Sequence, residues 1–432
     1  MTMTFSQARL EETYKQCQDD ENLDPKQLAD RIAKLAEIGW TENGGISRFV
    51  YTNEEKQAKA LFRSWMENTG MSVREDDVGN MFGRIEGKTD GPVLMTGSHL
   101  DTVPDGGAFD GALGCLSSLM ALESLLAEGF TFSQPVELVV MVDEEGTRFG
   151  NGLFGSRVML GEVTEAEVRH ALDEDGVTLQ EAMDSQGFTL NGMAESFYPP
   201  EHIKAFLELH IEQGTTLEQA KKPVGVVSGI AGPSWHECSF YGETDHAGNT
   251  PMTDRRDAFA ALSELALELE KLPAAQNDTA VATIGKVQLH PNGSNVIAGQ
   301  ADAVLDIRDV SESARDAVID AARQKAYEIA ERRGLQMNWH EQLRVAPVLV
   351  PEKVQQAVRT GAESAGISHM PVISGAAHDA MNFGKYTNAG MIFVPSVAGK
   401  SHTPEEFTHL HDAFHGTIAM REALRALNDA DL

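Results

Sequence analysis

Cysteine is nearly absent from this sequence: Cys17, Cys115 and Cys238 are its whole complement in 432 residues, an odd number with no paired spacing. That excludes a disulfide framework and a cysteine-built zinc site, and it fits a reducing cytosol. Positive charge is scarce too, with 35 lysines and arginines against 66 acids and a formal net charge of -31. A nucleic-acid binder needs a basic stripe to follow phosphates, and an anionic membrane repels such a chain. The acidity reads as a solvated surface and names no function. Long apolar runs are missing as well. Stretches such as Val136-Glu137-Leu138-Val139-Val140-Met141-Val142 are far too short to span a bilayer. The polar stretch Met1 to Asp24 has no apolar segment for secretion, so a cytoplasmic protein is expected. Neither an internal repeat nor a low-complexity tract interrupts the chain.

What is present is an apolar fraction of 41%, enough for real cores, and length for about two or three ordinary domains. Helical spacing marks Pro25 to Ile38 and Asn53 to Thr69, with Gly70 as a stop. Pro92 to Gly97 reads as a buried strand, Gly111 to Leu126 as a helix and Val136 to Val142 as a second buried strand, which makes an α/β unit. Ala205 to Leu209 and Ala389 to Pro395 are further short strands. Between Val224 and His340 the order changes to strand (Val224 to Gly242), helix (Arg255 to Lys271), strands (Ala280 to Leu289, Asn295 to Ile307), helix (Glu312 to Arg333) and strand (Leu335 to His340). That is the β-α-β-β-α-β order of a ferredoxin-like domain, inserted into the α/β fold. The expected division is therefore 1–223 and 344–432 for a catalytic domain in two parts, with 224–343 as a smaller domain between them.

Acids and histidines gather where the strands end: Gly97-Ser98-His99-Leu100-Asp101, Phe109-Asp110-Gly111, Asp143-Glu144-Glu145-Gly146, Leu209-His210-Ile211-Glu212-Gln213-Gly214 and Ser401-His402-Thr403-Pro404-Glu405-Glu406. Carboxyl ends of strands are where open α/β sheets place their sites. Mixed nitrogen and oxygen donors of this kind hold two divalent ions side by side. His99 would ligate one ion through a ring nitrogen, with Asp101 accepting its other N–H to orient the ring. A carboxylate has two oxygens, so Asp110 would bridge both ions. Glu145 would be a ligand and Glu144 a general base, and His210 and His402 would complete the two shells, one each.

These segments resemble the zinc-dependent amidohydrolases of the hydantoinase and carbamoylase group: N-carbamoyl-L-amino acid hydrolases, allantoate amidohydrolases and beta-ureidopropionases. The group lies within the aminoacylase and carboxypeptidase superfamily of two-metal peptidases. The resemblance runs from about Leu35 to the C-terminus and is carried by Gly106-Gly107-Ala108-Phe109-Asp110-Gly111, by the histidine in Leu209-His210-Ile211-Glu212-Gln213-Gly214, and by Gly293-Ser294-Asn295-Val296-Ile297 with Asp306-Ile307-Arg308. It implies an α/β catalytic domain of two-metal exopeptidase type with a mixed sheet, and a ferredoxin-like lid that also serves dimerisation. It implies His99, Asp110, Glu145, His210 and His402 as ligands of two divalent ions per subunit, zinc first, with manganese, cobalt and nickel suited to the same donors. By the same resemblance Glu144 is the base, His246 in Thr244-Asp245-His246-Ala247-Gly248 supplies an oxyanion donor across a homodimer interface, and Arg308, Asn295 and Gln213 bind substrate, Arg308 by forking onto a carboxylate. The expected reaction is hydrolysis of the ureido C–N bond of an N-carbamoyl-L-amino acid, releasing ammonia and carbon dioxide. The alternatives are allantoate as substrate, an aminoacylase or metallopeptidase of the wider superfamily, and a metal-loaded binding protein without turnover.

Plainer readings stand beside these. His170, His202, His340 and His369 sit in polar surroundings, and His236 and His290 flank strands. His409, His411 and His415 include a spacing of four that suits a metal on a helix, but a solvated helix face accounts for them better. His378-Asp379 resembles a motif of the group and receives no role. Arg308 between Asp306 and Asp309 reads as a structural ion pair as readily as an anchor, and Arg148 and Arg157 fit either a site wall or a substrate contact.

Overall fold

The computed structural model describes residues 5–432; the first four residues of the polar N-terminal stretch lie outside the described residues. In chain order the strands are β1 (Ser72–Glu75), β2 (Met81–Ile85), β3 (Val93–His99), β4 (Val136–Met141), β5 (Ile203–Ile211), β6 (Val224–Ile230), β7 (Gly232–Tyr241), β8 (Val281–His290), β9 (Gln300–Asp309), β10 (Gln336–Arg344), β11 (Val348–Leu349), β12 (His369–Ser374) and β13 (Ala389–Val394). The chain divides into two compact units. One comprises the residues up to Ser228, Val350–Val372 and His378–Leu432; the other comprises Gly229–Leu349 and Ile373–Ala377.

The first unit is organised by a mixed sheet in the order β1-β2-β4-β3-β5-β13-β6. Its centre, β4-β3-β5-β13, is parallel. Every residue of β3, β4 and β13 is buried, and since successive side chains point to opposite faces, both faces must be covered. Helix Ala112–Ala127 packs on β3 and β5, and helix Leu410–Asp429 packs on it and on β13. The ring of Phe383, from the short helix Asp379–Phe383, stacks on Phe206 of β5 at 4.3 Å. This burial explains why these strands are unbroken apolar runs in the sequence. From β3 the chain passes to β4 on one side and later returns to β5 on the other, so a crevice opens beyond their carboxyl ends, where such sheets bind ligands.

The second unit is an antiparallel sheet in the order β10-β7-β9-β8 with helices Ala258–Leu269 and Glu312–Arg333 packed on it. Burial alternates strictly along β9, whose Ala301, Ala303, Leu305 and Ile307 face the helices' apolar residues, among them Leu262, Leu265 and Ile329. The long helix stops at Gly334, whose φ of +66° is a left-handed cap that an L side chain adopts at a cost. The single strand expected from Val224 to Gly242 is two, interrupted at Ala231, with β6 in the first sheet and β7 in the second. The apolar pattern continues through the break, so periodicity does not report it. Among the described residues no helix is long and apolar enough to cross a membrane, and all three cysteines are unbridged.

Candidate metal centre

His99 is the last residue of β3 and only 1% exposed. Its Nδ1 lies 3.0 Å from the backbone carbonyl of Asp101, an acceptor, so Nδ1 carries a proton and Nε2 is the ring atom turned to the site. Nε2 makes no hydrogen bond; it sits 3.4 Å from Asp110 Oδ1 and 3.7 Å from Glu144 Oε2. The expected contact from the Asp101 carboxylate is thereby corrected. That carboxylate stands 3.6 Å from Nδ1 and accepts instead the backbone N–H groups of Glu144 at 3.2 Å and Glu145 at 3.1 Å. Asp101 therefore ties the end of β3 to the acid pair that follows β4, and its carbonyl, not its side chain, orients the ring.

His210, near the end of β5, repeats the pattern: Nδ1 is 2.9 Å from the Ile211 carbonyl, and Nε2 is 3.0 Å from Asp110 Oδ1. Asp110 presents its other oxygen, Oδ2, to His402 Nε2 at 3.4 Å, and His402 Nε2 is 3.5 Å from Glu145 Oε2. Donor atoms of His99, Asp110 and His210 lie within 4.8 Å of one another, and so do those of Asp110, Glu145 and His402. The two triads share Asp110. A third combination, His99 with Glu144 and Glu145, lies across them.

Glycine is required where the chain folds back onto these groups. Gly111 has φ +59°, and a Cβ there would stand 2.4 Å from His99 Nε2. A Cβ on Gly107 would stand 2.1 Å from Glu406 Oε1. Gly111 is thus required where the Asp110 loop passes the His99 ring, and Gly107 where it passes Glu406.

The electrostatics match the geometry. Burial pushes the Glu144 carboxyl well above its usual range, and the nearby acids Glu145, Asp379 and Asp110 add to this against the attraction of His99. Burial likewise lifts Glu145 to about 8, with Asp110 the next contributor. Asp110 stays well below the usual carboxylate range despite burial, because His210, His402 and His99 surround it. A buried cluster with more carboxylates than cations is costly in a low-dielectric interior. The unpartnered buried atoms His99 Nε2 and Glu145 Oε1 are what two divalent ions would use once any proton on the ring is displaced, so the residues present fit that pair.

Gln213, at φ +56°, donates its side-chain amide to Asp110 Oδ2 at 2.7 Å. The contact expected with a ureido group is directed at a candidate ligand in this structure. In the second unit His246 is exposed, and its Nδ1 accepts the N–H groups of Gly248 at 3.0 Å and Asn249 at 3.1 Å, which places the ring proton on Nε2 as a free donor. Asn295 is exposed, and its carbonyl accepts from Ala247 at 3.0 Å. The Arg308 fork is engaged by Asp306 at 2.9 and 2.7 Å, with Nη1 on the Gly375 carbonyl at 2.9 Å. Asp309 bonds Asn277 and Thr279 instead. Arg148 pairs with Asp173 and Arg157 with Glu167.

Several residues given no role by the sequence belong to this neighbourhood. The His378 ring lies 4.3 Å from that of His210, is 2% exposed and leaves Nε2 unpaired. Glu208 accepts from Ser98 and from the Ala380 amide, and Asp379 accepts from Ser156. Glu406 accepts from the loop that carries Asp110. A doublet of acids after a histidine, and an aspartate after His378, were the available signals; neither says which group it faces. His409, His411 and His415 are half-buried, lining a surface cavity of about 360 Å³ rather than a fully solvated helix face.

Residues 95–426 match Peptidase family M20/M25/M40. The chain belongs to this family. This M20-family chain is similar to the N-carbamoyl-L-amino acid amidohydrolase of Geobacillus stearothermophilus, 39% identical over 392 residues that make up 90% of this chain and 95% of that one. It is also similar to the allantoate amidohydrolase of Bacillus subtilis (strain 168), 37% identical over 406 residues, 93% of this chain and 97% of that one. The crystal structure of an amidase of the hydantoinase/carbamoylase family from Burkholderia multivorans superposes with a TM-score of 0.89 at 32% identity, covering 95% of this chain and 99% of that one. The fold class and family expected from the sequence are borne out, and this M20-family member is a hydrolase of carbon–nitrogen bonds in the amidohydrolase group.

Proposed function

We propose that this chain hydrolyses the ureido C–N bond of N-carbamoyl-L-amino acids, releasing ammonia and carbon dioxide, with His99, Asp110, Glu145, His210 and His402 holding two zinc ions. The observation that carries the reading is the pair of donor triads joined by Asp110, with Glu144 Oε2 beside the first of them. When bound, two divalent ions supply the charge that acidifies a water and polarises a carbonyl. Glu144 takes a proton from the attacking water and delivers it to the leaving nitrogen, a role supported by its approach to the first triad. Burial gives its carboxyl a raised proton affinity, which suits an acid that must hold the proton between those two transfers. His246 offers Nε2–H to the developing oxyanion, and the outer edge of Arg308, beyond the Asp306 pair, receives the substrate carboxylate. Gln213 and Asn295 have the amide chemistry to read a ureido group. A homodimer through the second unit and a reducing, cytoplasmic setting complete the proposal; the unbridged cysteines support the latter.

Allantoate is the second reading, favoured by the 37% identity to an allantoate amidohydrolase. Ammonia release by the zinc-supplied protein separates the two, using N-carbamoyl-L-amino acids, allantoate and N-carbamoyl-beta-alanine, with a dipeptide and an N-acetyl amino acid as controls. The highest kcat/KM is expected on an N-carbamoyl-L-amino acid. A higher value on allantoate selects the second reading, and cleavage of the dipeptide or N-acetyl compound alone overturns both.

A further inference from the structure

The segment Ser401-His402-Thr403-Pro404-Glu405-Glu406 contributes more to the centre than its histidine. Glu405 pairs with Lys400 at the surface, whereas Glu406 is completely buried. Among the described residues no lysine or arginine pairs with Glu406; hydrogen bonds meet both of its oxygens. Oε1 accepts the backbone N–H groups of both Phe109 at 2.9 Å and Asp110 at 3.0 Å, and Oε2 faces the Ser401 hydroxyl at 2.9 Å. The same hydroxyl lies 2.8 Å from Asp110 Oδ2. One carboxylate therefore fastens the loop that carries Asp110 to the loop that carries His402, two segments that are remote in sequence. Gly107 leaves the space this requires, since a Cβ there would overlap Oε1.

A buried carboxyl group without a lysine or arginine partner is expensive unless its oxygens are met by hydrogen bonds. Such an arrangement has value when it fixes something whose placement matters. Here that is Asp110, the only residue common to both donor triads. A shift of the Asp110 backbone would move both of its oxygens, one away from His99 and His210 and the other away from His402. We propose that Glu406 is a positioning residue that clamps the Asp110 loop to the His402 loop, so that one carboxylate spans both triads without Glu406 touching ions or substrate. The proposal rests on the two-ion reading above.

Zinc affinity measured by chelator competition, together with zinc content by elemental analysis, tests it apart from turnover. Glu406→Ala should weaken both ions by about 100-fold, and Glu406→Gln, which keeps an oxygen for the two amides, should recover to within about 10-fold of wild type. Val168→Ala, a cavity in the buried cluster of helix Glu165–His170, serves as a control for general loss of stability. At saturating zinc the Glu406 variants should keep the wild-type KM, because substrate is not touched. Wild-type affinity in Glu406→Ala, or a loss no greater than that of Val168→Ala at equal loss of Tm, overturns the clamp. Should Glu406→Ala fail to fold, Ser401→Ala decides: a drop of about 10-fold supports the clamp and an unchanged affinity overturns it. Failure of wild type itself to hold two zinc ions strikes the two-ion reading instead, and the outcomes are thus distinct.

Discussion

The two units treat their polar residues in opposite ways. In the first, His99, Asp110 and His210 are buried and face one another. In the second, His246 and Asn295 are exposed and held by local backbone contacts, and Arg308 is tied to its sequence neighbour Asp306. Burial makes the first set costly unless cations arrive, so its chemistry is written in the fold itself. The second set is inexpensive in water and is compatible with several roles, so only a substrate reveals what it does.

The largest effect that sharpens this contrast belongs to the shared carboxylate. Asp110→Ala should leave dialysed protein without either ion and bring ammonia release to background, checked by elemental analysis and rate together. Retention of one ion would show that the triads are independent. Glu144→Gln should lower kcat by about 10³-fold, within the range for loss of an acid–base group, while zinc content stays at the wild-type value. His246→Ala should lower kcat by about 10²-fold with zinc retained, as expected for one oxyanion donor. Mixing it with Glu144→Gln under proven subunit exchange should restore part of the rate if the donor crosses a dimer interface; no recovery places its action within one subunit. Arg308→Lys keeps the charge but loses the fork, and KM should rise by about 10-fold with kcat nearly unchanged. An unaltered KM would remove Arg308 from the substrate site and leave it to Asp306 and the Gly375 carbonyl.

The smallest effect concerns a buried acid of the first unit outside the triads. Burial lifts Glu55 from 4.5 to about 7, and its Oε2 accepts the Tyr51 N–H at 2.6 Å. Between those two values the native state binds the extra proton, so stability falls as pH rises through that window and is flat above it. Glu55→Gln removes the penalty. Its Tm should exceed that of wild type at pH 8, and the difference should vanish at pH 4; a constant difference would assign the raised proton affinity elsewhere. In contrast with the triads, this acid is relieved by a proton and not by a metal.

Several donors were legible in the sequence because β3, β4, β5 and β13 are buried on both faces, which makes them apolar runs that end abruptly in polar residues. The ferredoxin-like order was legible from alternating and helical periodicity, and the stop at Gly334 from the left-handed preference of glycine. The β1–β2 hairpin and the short helices Phe154–Met159 and Leu179–Ser185 were not, being too brief for a period to register. Nor was the exchange of roles within Asp101, since backbone carbonyls carry no residue signature.

By itself the sequence determined the donor types, the strands that deliver them and the acid–base candidate, because residue chemistry and apolar periodicity are local properties. Tertiary structure alone decided that Asp110 turns one oxygen to His99 and His210 and the other to His402, that Glu406 accepts from the Asp110 loop, and that Asp306 and not Asp309 engages Arg308. Those are relations between side chains, and their distances are fixed by how parallel strands and the loops beyond them pack, which no spacing along the chain encodes.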